Sequence, residues 1–401
     1  MFKGVINLRL AIILIIYTLL NSILYSQLIM WINKFNNCPG YMLIKIIISI
    51  IYFICFISVI TGYFLKKSKI QRIIQKLSNH FMGILFYIIL VAVTSFVVQT
   101  ILIHGFKVSK SLFYSNWYLL IIGSIYLILI TFISIYGNLH AKNIKIKKYN
   151  LKINKKSKYK HLRIALVADF HLGYSIGYKM MNKMKDIINK EEVDLVLIAG
   201  DVFDNSFDSI DDINKVQNSL KDINSKYGKY AVFGNHDVEE KLFSGFSTKN
   251  VNKARRNKSM ERILEKANIN ILNDEVISIG DFFIIGRKDY EKTGEDDNTR
   301  SKLDDLVKKV KSNKFVILLE HQPRNLKKIS NFPIDLHVSG HTHAGQYFPI
   351  NIGTKLIWEN HYGLKKFNNM YSVVTSGIGV YGPNIRVGTN SEVVIIDIDF
   401  K

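Results

Sequence analysis

The sequence is poor in cysteine and contains no disulfide-rich segment. Of its 401 residues only Cys38 and Cys55 are cysteine, so the chain after residue 55 has none. A domain formed by that part of the chain therefore has neither disulfides nor thiolate ligands, which excludes a disulfide-stabilised scaffold and a closed cysteine-ligated zinc site. The scarcity of cysteine also fits a reducing compartment.

Acidic residues are missing from the first part of the chain. Residues 1–168 carry 21 of the 54 Lys and Arg residues and no Asp or Glu, whereas residues 169–401 carry 33 basic and 32 acidic residues. The formal net charge of +22 therefore arises almost wholly from the N-terminal part. A nucleic-acid-binding function is not supported, because the C-terminal part is nearly neutral and shows no basic stripe of its own.

Long apolar runs fill the N-terminal part. Four of them, 8–32, 42–65, 81–103 and 117–137, reach the roughly 20 residues that a membrane-spanning helix needs. The first is too long for the apolar region of a signal peptide and lacks a small-residue cleavage site, so we expect it to be retained. Basic residues cluster after the second and fourth runs, and the positive-inside rule then places both termini in the cytoplasm.

Five short polar blocks, each preceded by an apolar run, stand out in the C-terminal part. They are DFH at 169–171, GDVFD at 200–204, GNHD at 234–237, EH at 320–321 and GHTH at 340–343. The preceding runs, mostly rich in β-branched residues, predict buried strands. Because sites in open α/β sheets form at the carboxyl ends of strands, we expect the blocks to converge.

The blocks supply seven candidate metal ligands. They are Asp169, His171, Asp201, Asn235, His321, His341 and His343. Oxygen and imidazole nitrogen ligands suit Mn, Fe or Zn. Seven ligands are too many for one ion, whereas two ions that share a bridging carboxylate need about this number, with Asp201 as the natural bridge. Two-metal sites clamp the attacking and leaving oxygens of phosphoryl transfer and provide a nucleophilic hydroxide near neutral pH.

The order of the blocks resembles that of the calcineurin-like metallophosphoesterase superfamily, whose signature is DxH, GDxxD, GNH(D/E), H and GHxH. The resemblance covers roughly residues 162–400 and is specific, because five linked blocks are present. It implies that one metal is held by Asp169, His171, Asp201 and His343, and the other by Asp201, Asn235, His321 and His341. A closer similarity, through LLEHQP at 318–323 and GHTHAGQ at 340–346, is to a membrane-associated subgroup similar to UDP-2,3-diacylglucosamine pyrophosphohydrolases. Ala344 stands where that subgroup commonly has Gly.

The resemblance also implies the fold and the domain organisation. The fold class is α/β, with an N-terminal four-helix transmembrane region followed by two mixed β-sheets that pack face to face between flanking helices. Alternating strand and helix patterns in the C-terminal part agree with a layered α/β domain. We therefore expect a transmembrane domain at 1–140, a basic juxtamembrane linker at 141–160 and a metallophosphoesterase domain at 161–401.

Four further residues are expected near the metals. His236 has no metal to bind in its block, so we expect it to polarise the phosphoryl oxygen or to protonate the leaving group. Asp204 and Asp237 are expected either to orient an imidazole or only to hold a loop. Arg386 lies in a turn-rich loop before the last strand, where an arginine can bind a substrate phosphate through two hydrogen bonds.

The segment 239–262, which follows the third block, is interpreted in two ways. It is either a lid or membrane-contacting flap over the metals, or a solvated surface helix and loop. Its two phenylalanines, Phe243 and Phe246, are the residues that favour the first interpretation.

Together these observations predict a membrane-anchored dinuclear-metal phosphoesterase. It would hydrolyse a phosphodiester or pyrophosphate bond of a lipid-linked or nucleotide-sugar substrate through attack of a metal-bridging hydroxide. The expected cofactors are two divalent metal ions, with manganese preferred to iron or zinc, and the expected partners are the lipid bilayer and a phosphorylated substrate, without nucleic acid. The expected location is the cell membrane, with several spans and a cytoplasmic catalytic domain. The alternative is a membrane regulatory or sensory protein whose phosphoesterase-like domain binds metal or ligand with little turnover.

Overall fold

A computed structural model of the chain describes residues 8–65, 68–240, 242–243, 246–247, 255–294, 299–311 and 313–401. The chain divides into two compact units. The helical unit comprises Met1–Gly137, Leu242–Thr248 and Gly382–Asn384. The α/β unit comprises Asn138–Lys241, Lys249–Tyr381 and Ile385–Lys401.

The N-terminal region forms five helices. They are α1 (Leu8–Ile32), α2 (Tyr41–Phe64), α3 (Lys69–His104), α4 (Lys110–Tyr114) and α5 (Asn116–Ala141). All except α4 are long and apolar enough to cross a membrane, so the prediction of four apolar helices is confirmed. The helix α3 begins ahead of the apolar run predicted from residue 81, because the side chain of Ser68 caps it by accepting a hydrogen bond from the Gln71 N–H at 3.0 Å.

The first sheet of the α/β unit has six strands in the order β1-β14-β2-β3-β4-β7. Its strands are β1 (Ile144–Ile153), β2 (His161–Val167), β3 (Leu195–Ala199), β4 (Lys229–Val232), β7 (Ile269–Ile271) and β14 (Ser391–Phe400). The pair β14–β2 is antiparallel and all other neighbours are parallel. All five residues of β3 are buried, as the continuous apolar run of a strand covered on both faces predicts.

The second sheet also has six strands, in the order β12-β13-β11-β10-β9-β8. Its strands are β8 (Glu275–Ile279), β9 (Phe282–Gly286), β10 (Phe315–Leu319), β11 (Leu336–Ser339), β12 (Gly363–Phe367) and β13 (Met370–Val374). The two outer pairs are antiparallel and the inner pairs are parallel. Both sheets are therefore mixed, as expected for this fold class.

Packing between the sheets and their helices creates three apolar layers. One core is shared by both sheets and includes Ile164 on β2 and Ile317 on β10. The outer face of the first sheet packs against α6 (Tyr178–Lys190), α7 (Ile213–Lys221) and α8 (Lys258–Lys266). The outer face of the second sheet packs against α9 (Leu303–Val307) and α10 (Leu326–Ile329), and a last helix, α11, spans Ile350–Ile357. The predicted arrangement of two mixed sheets flanked by helices is confirmed.

The proposed flap, 239–262, is described only in part. Residues 241, 244–245 and 248–254 lie outside the described residues, and the rest contains the hairpin of β5 (Leu242–Phe243) and β6 (Phe246–Ser247). The side chain of Phe243 is buried in the core of the helical unit, where its ring centroid lies 6.3 Å from that of Tyr17 and 5.6 Å from that of Tyr63. This hairpin therefore packs as part of the helical unit.

The strand β1 differs from the sequence-based expectation, which gave 141–160 as a linker. It pairs in parallel with β14 along its whole length, from Ile144 opposite Ser391 to Ile153 opposite Phe400. Its lysines, which indicated a juxtamembrane segment, are exposed, and Leu151 and Ile153 are its buried residues. An edge strand is held by backbone hydrogen bonds on one side and commonly carries lysine, so its sequence resembles that of a polar linker.

The loops after the strands contain an unusual number of residues in the left-handed backbone region. Asp169, His171, Asp201, His341 and His343 all have φ between 48° and 72°. Ala344, which follows His343, has φ 51° and ψ 21°. For a residue with a Cβ, this conformation is roughly 1–2 kcal/mol less favourable than the right-handed region. The difference in free energy is smaller for aspartate than for most residues. The polar blocks are therefore built on strained backbone.

Removal of β1 is expected to destabilise the α/β unit. A fragment that begins at residue 142 keeps β1, whereas one that begins at residue 160 exposes the edge of β14 and loses the burial of Leu151 and Ile153. Burial of two such side chains is worth about 3–6 kcal/mol, so the shorter fragment should melt about 10 °C lower. Circular dichroism melts of both fragments measure this. Equal melting temperatures would show that β1 contributes nothing to the fold.

Replacement of Ala344 by glycine is expected to stabilise the protein. Glycine adopts the left-handed region without the penalty of a Cβ, and this gain exceeds its entropic cost by about 0.5–1 kcal/mol. The melting temperature should rise by about 2 °C. Ala165→Gly is the matched control, because Ala165 lies inside β2, where a glycine should lower the melting temperature. A fall with both variants would contradict the strain at Ala344.

Candidate metal centre

The polar blocks meet where strands of both sheets end. Asp169 and His171 follow β2, Asp201 follows β3, Asn235 follows β4, His321 follows β10, and His341 and His343 follow β11. The Asp169 N–H donates to the Gly200 carbonyl at 2.9 Å and the His171 N–H donates to the Asp201 carbonyl at 3.0 Å, so two loops of the first sheet run side by side. From the second sheet, the His341 N–H lies 3.0 Å from both carboxylate oxygens of Asp169. The structure thus brings all seven candidate ligands together.

The candidate ligands form two clusters. Ligand atoms of Asp169, His171 and His343 lie within 4.8 Å of one another. Those of Asp201, His321 and His341 form a second group with the same spacing. The resemblance implies the same two groups, with Asp201 added to the first and Asn235 added to the second.

The cluster around His321 consists of converging acceptor atoms. His321 Nε2 lies 3.1 Å from Asp201 Oδ2, 3.1 Å from Asn235 Oδ1 and 3.2 Å from His341 Nδ1. His321 Nδ1 lies 2.7 Å from the Ala199 carbonyl, to which only its N–H can donate, so Nε2 is the nitrogen left to face the other ligands, where it shares a proton with Asp201 or binds a cation. Buried acceptors that face one another need a positive partner. The carboxylate, amide and imidazole donors fit a divalent ion such as Mn, Fe or Zn.

The cluster around His171 has the same character. His171 Nε2 lies 3.0 Å from His343 Nε2, and His343 Nε2 lies 3.9 Å from Asp169 Oδ1. Within the described part of the chain the buried His171 Nδ1 has no hydrogen-bond partner, and Asp204 Oδ1 lies 3.8 Å from it. Two imidazole nitrogens and a carboxylate at this spacing also fit a divalent cation.

Asp201 lies between the two clusters. Its Oδ2 is 3.1 Å from His321 Nε2 and 3.8 Å from His171 Nε2, and its Oδ1 accepts the His236 N–H at 2.8 Å. The loop that carries Asp201 can approach His321 closely because Gly200 has φ 83° and no side chain. A Cβ at this position would lie 2.7 Å from His321 Nδ1. The geometry of the loop therefore requires glycine immediately before Asp201.

Burial and charge set the protonation of the ligands. Burial raises the pKa of Asp169 to about 6. Burial also opposes ionisation of Asp201, but the charge of His321 and its hydrogen bond outweigh this and hold the pKa of Asp201 well below its usual value. Burial lowers the pKa of His341 and of His343 well below the usual value, so both rings are neutral near pH 7. Neutral imidazole is the form that binds metals.

His236 lies beside the clusters without belonging to either. Its Nδ1–H donates to Asn205 Oδ1, and its ring centroid lies 5.3 Å from that of His171 and 4.4 Å from that of Tyr381. Burial lowers its pKa to about 4, so the ring is neutral at pH 7. Because Asn205 accepts from Nδ1, Nε2 is the nitrogen that carries a lone pair.

The other two carboxylates differ in their surroundings. Asp237 is fully buried and accepts the N–H groups of Phe203 at 2.8 Å and Gly234 at 2.7 Å, so it joins the loops that follow β3 and β4. Burial raises its pKa to about 7. Asp204 lies closer to the surface, with Oδ1 3.8 Å from His171 Nδ1.

Arg386 is buried completely, and its guanidinium contacts protein groups. Its Nη2 donates to the carbonyls of Ser376 at 2.6 Å and Gly379 at 2.7 Å, and lies 3.2 Å from His343 Nδ1. The guanidinium therefore contacts a candidate ligand and the backbone that surrounds it.

Sequence reasoning missed three residues of the site. Asn205, which binds His236, directly follows the GDVFD block, and its position in a polar loop was the available signal. Tyr381 lies in the loop that also carries Arg386. Trp358, whose ring centroid lies 5.3 Å from that of His341, had no local signal, because the helix α11 separates it from the last block.

Comparisons with known proteins agree with this architecture. The profile of the calcineurin-like phosphoesterase family matches residues 162–345. An uncharacterized metallophosphoesterase of Campylobacter jejuni is 30% identical over 287 residues, which are 70% of this chain and 69% of that protein. An uncharacterized metallophosphoesterase of Aquifex aeolicus is 29% identical over 270 residues, which are 66% of this chain and 96% of that protein.

A third relative combines the same domain with a membrane region. It is a transmembrane protein with metallophosphoesterase domain from Bos taurus, which is 26% identical over 252 residues. These residues are 58% of this chain and about half, 52%, of that protein. Four apolar helices and this similarity indicate association with a membrane. From its blocks, its two mixed sheets and these relatives, we conclude that the chain belongs to the calcineurin-like metallophosphoesterase family.

Proposed function

We propose that this protein is a membrane-anchored phosphoesterase with a dinuclear metal centre that hydrolyses a phosphodiester or pyrophosphate bond. The observation that carries the proposal is the position of Asp201 Oδ2, within 3.1 Å of His321 Nε2 and 3.8 Å of His171 Nε2. One carboxylate oxygen near both clusters is what a bridging ligand requires. The seven ligands proposed from the sequence and the position of His236 beside them, outside both clusters, support catalysis over a binding role alone.

In the proposed site each cluster holds one divalent ion. One ion would be held by Asp169, His171 and His343. The other would be held by Asn235, His321 and His341, and Asp201 would contact both ions. Two such ions supply positive charge that lowers the pKa of water and neutralises phosphoryl oxygens. The residues around them keep this arrangement rigid: Ala199 orients His321 through its carbonyl, and Arg386 supports His343 and its loop. We propose that Arg386 is a positioning residue and does not contact the substrate.

We propose that His236 transfers a proton to the leaving oxygen. Its neutral ring has a lone pair at Nε2. The negative charge of a bound phosphoryl group raises the pKa of the adjacent imidazole, so Nε2 takes up a proton from water and then donates it to the leaving oxygen. Asn205 holds the ring through Nδ1, so Nε2 keeps a fixed direction. Tyr381, whose ring lies against that of His236, limits access of water to the same side chain.

The apolar helices and the basic residues that follow them favour one class of substrate and one orientation in the membrane. Four apolar helices restrict the enzyme to a membrane, which favours a lipid-linked phosphate or a nucleotide sugar, as does the similarity of the blocks to UDP-2,3-diacylglucosamine pyrophosphohydrolases. The basic residues after the second and fourth helices favour a cytoplasmic catalytic domain. Manganese is proposed first because the ligand set has carboxylate and imidazole donors and no thiolate.

Loss of the Asp201 carboxylate should remove both metals. The wild-type protein in detergent should bind two Mn²⁺ per chain, and Asp201→Asn should weaken binding at both positions by about 100-fold or more, since an amide is a much poorer ligand than a carboxylate. The metal content after desalting is measured by mass spectrometry. Turnover is measured as hydrolysis of bis(p-nitrophenyl) phosphate. Asp211→Asn, an exposed carboxylate in the same unit, is the control. Retention of two ions by Asp201→Asn would contradict a shared ligand.

His236→Ala should keep both metals and lose turnover. Loss of a general acid lowers kcat by roughly 100- to 10,000-fold. The loss should be larger for diphenyl phosphate than for bis(p-nitrophenyl) phosphate, because phenoxide is the poorer leaving group and depends more on protonation. His161→Ala, at the opposite end of β2, is the control. An equal loss on both substrates would show that His236 polarises the phosphoryl oxygen instead.

A further inference from the structure

A second site is indicated by a basic cavity in the α/β unit. The cavity has a volume of about 320 Å³ and is lined by five basic side chains, namely Arg287, Arg300, Lys302, Arg324 and Lys328. The acidic side chains that line it, among the described residues, are Asp304 and Glu320. Positive charge therefore exceeds negative charge in its wall.

The buried acid in this wall is already paired. Glu320 Oε2 accepts from Arg287 Nη1 at 3.2 Å and from Arg300 Nη2 at 2.6 Å. Its other oxygen lies 3.3 Å from Nε2 of the buried His337. Glu320 thus carries one negative charge against the two guanidinium charges that hold it and leaves none for Lys302 and Lys328. Arg287, itself more than nine-tenths buried, has an Nε–H without an acceptor in the described part of the chain.

Arg324 connects the cavity with the metal centre. Its guanidinium carbon lies 4.8 Å from the ring centroid of Tyr290 and 5.3 Å from that of Trp358. Trp358 in turn packs against His341, with ring centroids 5.3 Å apart. Arg324 Nε also donates to Gln322 Oε1 at 2.6 Å, and its Nη2 is paired with the half-exposed Glu291. An aromatic and guanidinium wall therefore runs from the cavity to a candidate ligand.

We propose that this cavity binds a phosphate-type anion, either a second phosphate of the substrate or a free phosphate. The proposal extends the proposed phosphoesterase function, since it gives the substrate an anionic group beyond the bond that is cleaved. Guanidinium groups bind phosphate through paired hydrogen bonds, and lysines contribute charge at the mouth. Lys302 and Lys328 are exposed, so their neutralisation leaves no buried acid without its partner.

Binding is tested with full-length protein in detergent. Metal is first removed from the protein with EDTA, and the EDTA is then removed by gel filtration. Without metal, inorganic pyrophosphate can be retained only by protein groups. It should raise the melting temperature of the wild-type protein at low, matched ionic strength. The double variant Lys302→Gln, Lys328→Gln should bind pyrophosphate about tenfold more weakly. Lys309→Gln, Lys327→Gln is the control, because these lysines are exposed, lie beside the same helices and do not line the cavity.

Two results would overturn the proposal. One is an equal shift in the cavity variant and the control. The other is no shift in the wild-type protein. Turnover of bis(p-nitrophenyl) phosphate without any pyrophosphate shift would remove this site and leave the proposed function intact.

The source of the anion is distinguished by competition in the metal-loaded enzyme. If the cavity holds a second phosphate of the substrate, the inhibition constant of UDP-N-acetylglucosamine against bis(p-nitrophenyl) phosphate should rise about tenfold in the cavity variant relative to the control. If the cavity holds a free phosphate, this constant should stay the same while the pyrophosphate shift is still lost. Both outcomes support an anion site and assign different ligands to it.

Discussion

The rest of the site depends on the interactions that keep the carboxylate of Asp201 ionised. Burial alone would keep such a group protonated. It stays charged because His321 from the second sheet faces one oxygen and the His236 N–H from the first sheet donates to the other. The same carboxylate therefore needs both sheets in place, and both clusters of candidate ligands need the carboxylate. Displacement of either sheet would leave a buried charge without its partners, which is strongly unfavourable.

Much of this arrangement could be predicted because it is encoded locally. Apolar runs of helical length predicted α1, α2, α3 and α5, and the runs before the polar blocks predicted strands whose ends meet. Partners that are distant in sequence could not be predicted in the same way. The strand β1 has a polar sequence that is stabilised by β14, almost 250 residues away, so its lysines indicated a linker. Trp358 was missed because no local pattern records that its ring packs against His341.

Arg386 shows how burial changes the interpretation of a single residue. In sequence it is an arginine in a loop rich in glycine, a common setting for phosphate binding. In the structure its donors are used by carbonyls of Ser376 and Gly379 and by His343. The basic residues around Glu320 had no motif, yet they line a cavity in whose wall, among the described residues, positive charge exceeds negative charge. Charge becomes informative for binding only when its partners are known.

The position of β14 also affects how the site is assembled during synthesis. It is the last strand of the chain, yet it lies inside the first sheet, between β1 and β2. N-terminal elements emerge and fold first as a chain is made. All seven candidate ligands are therefore synthesised before the strand that completes their supporting sheet. A chain that stops before β14 would therefore contain every candidate ligand and still lack the strand that lies between β1 and β2.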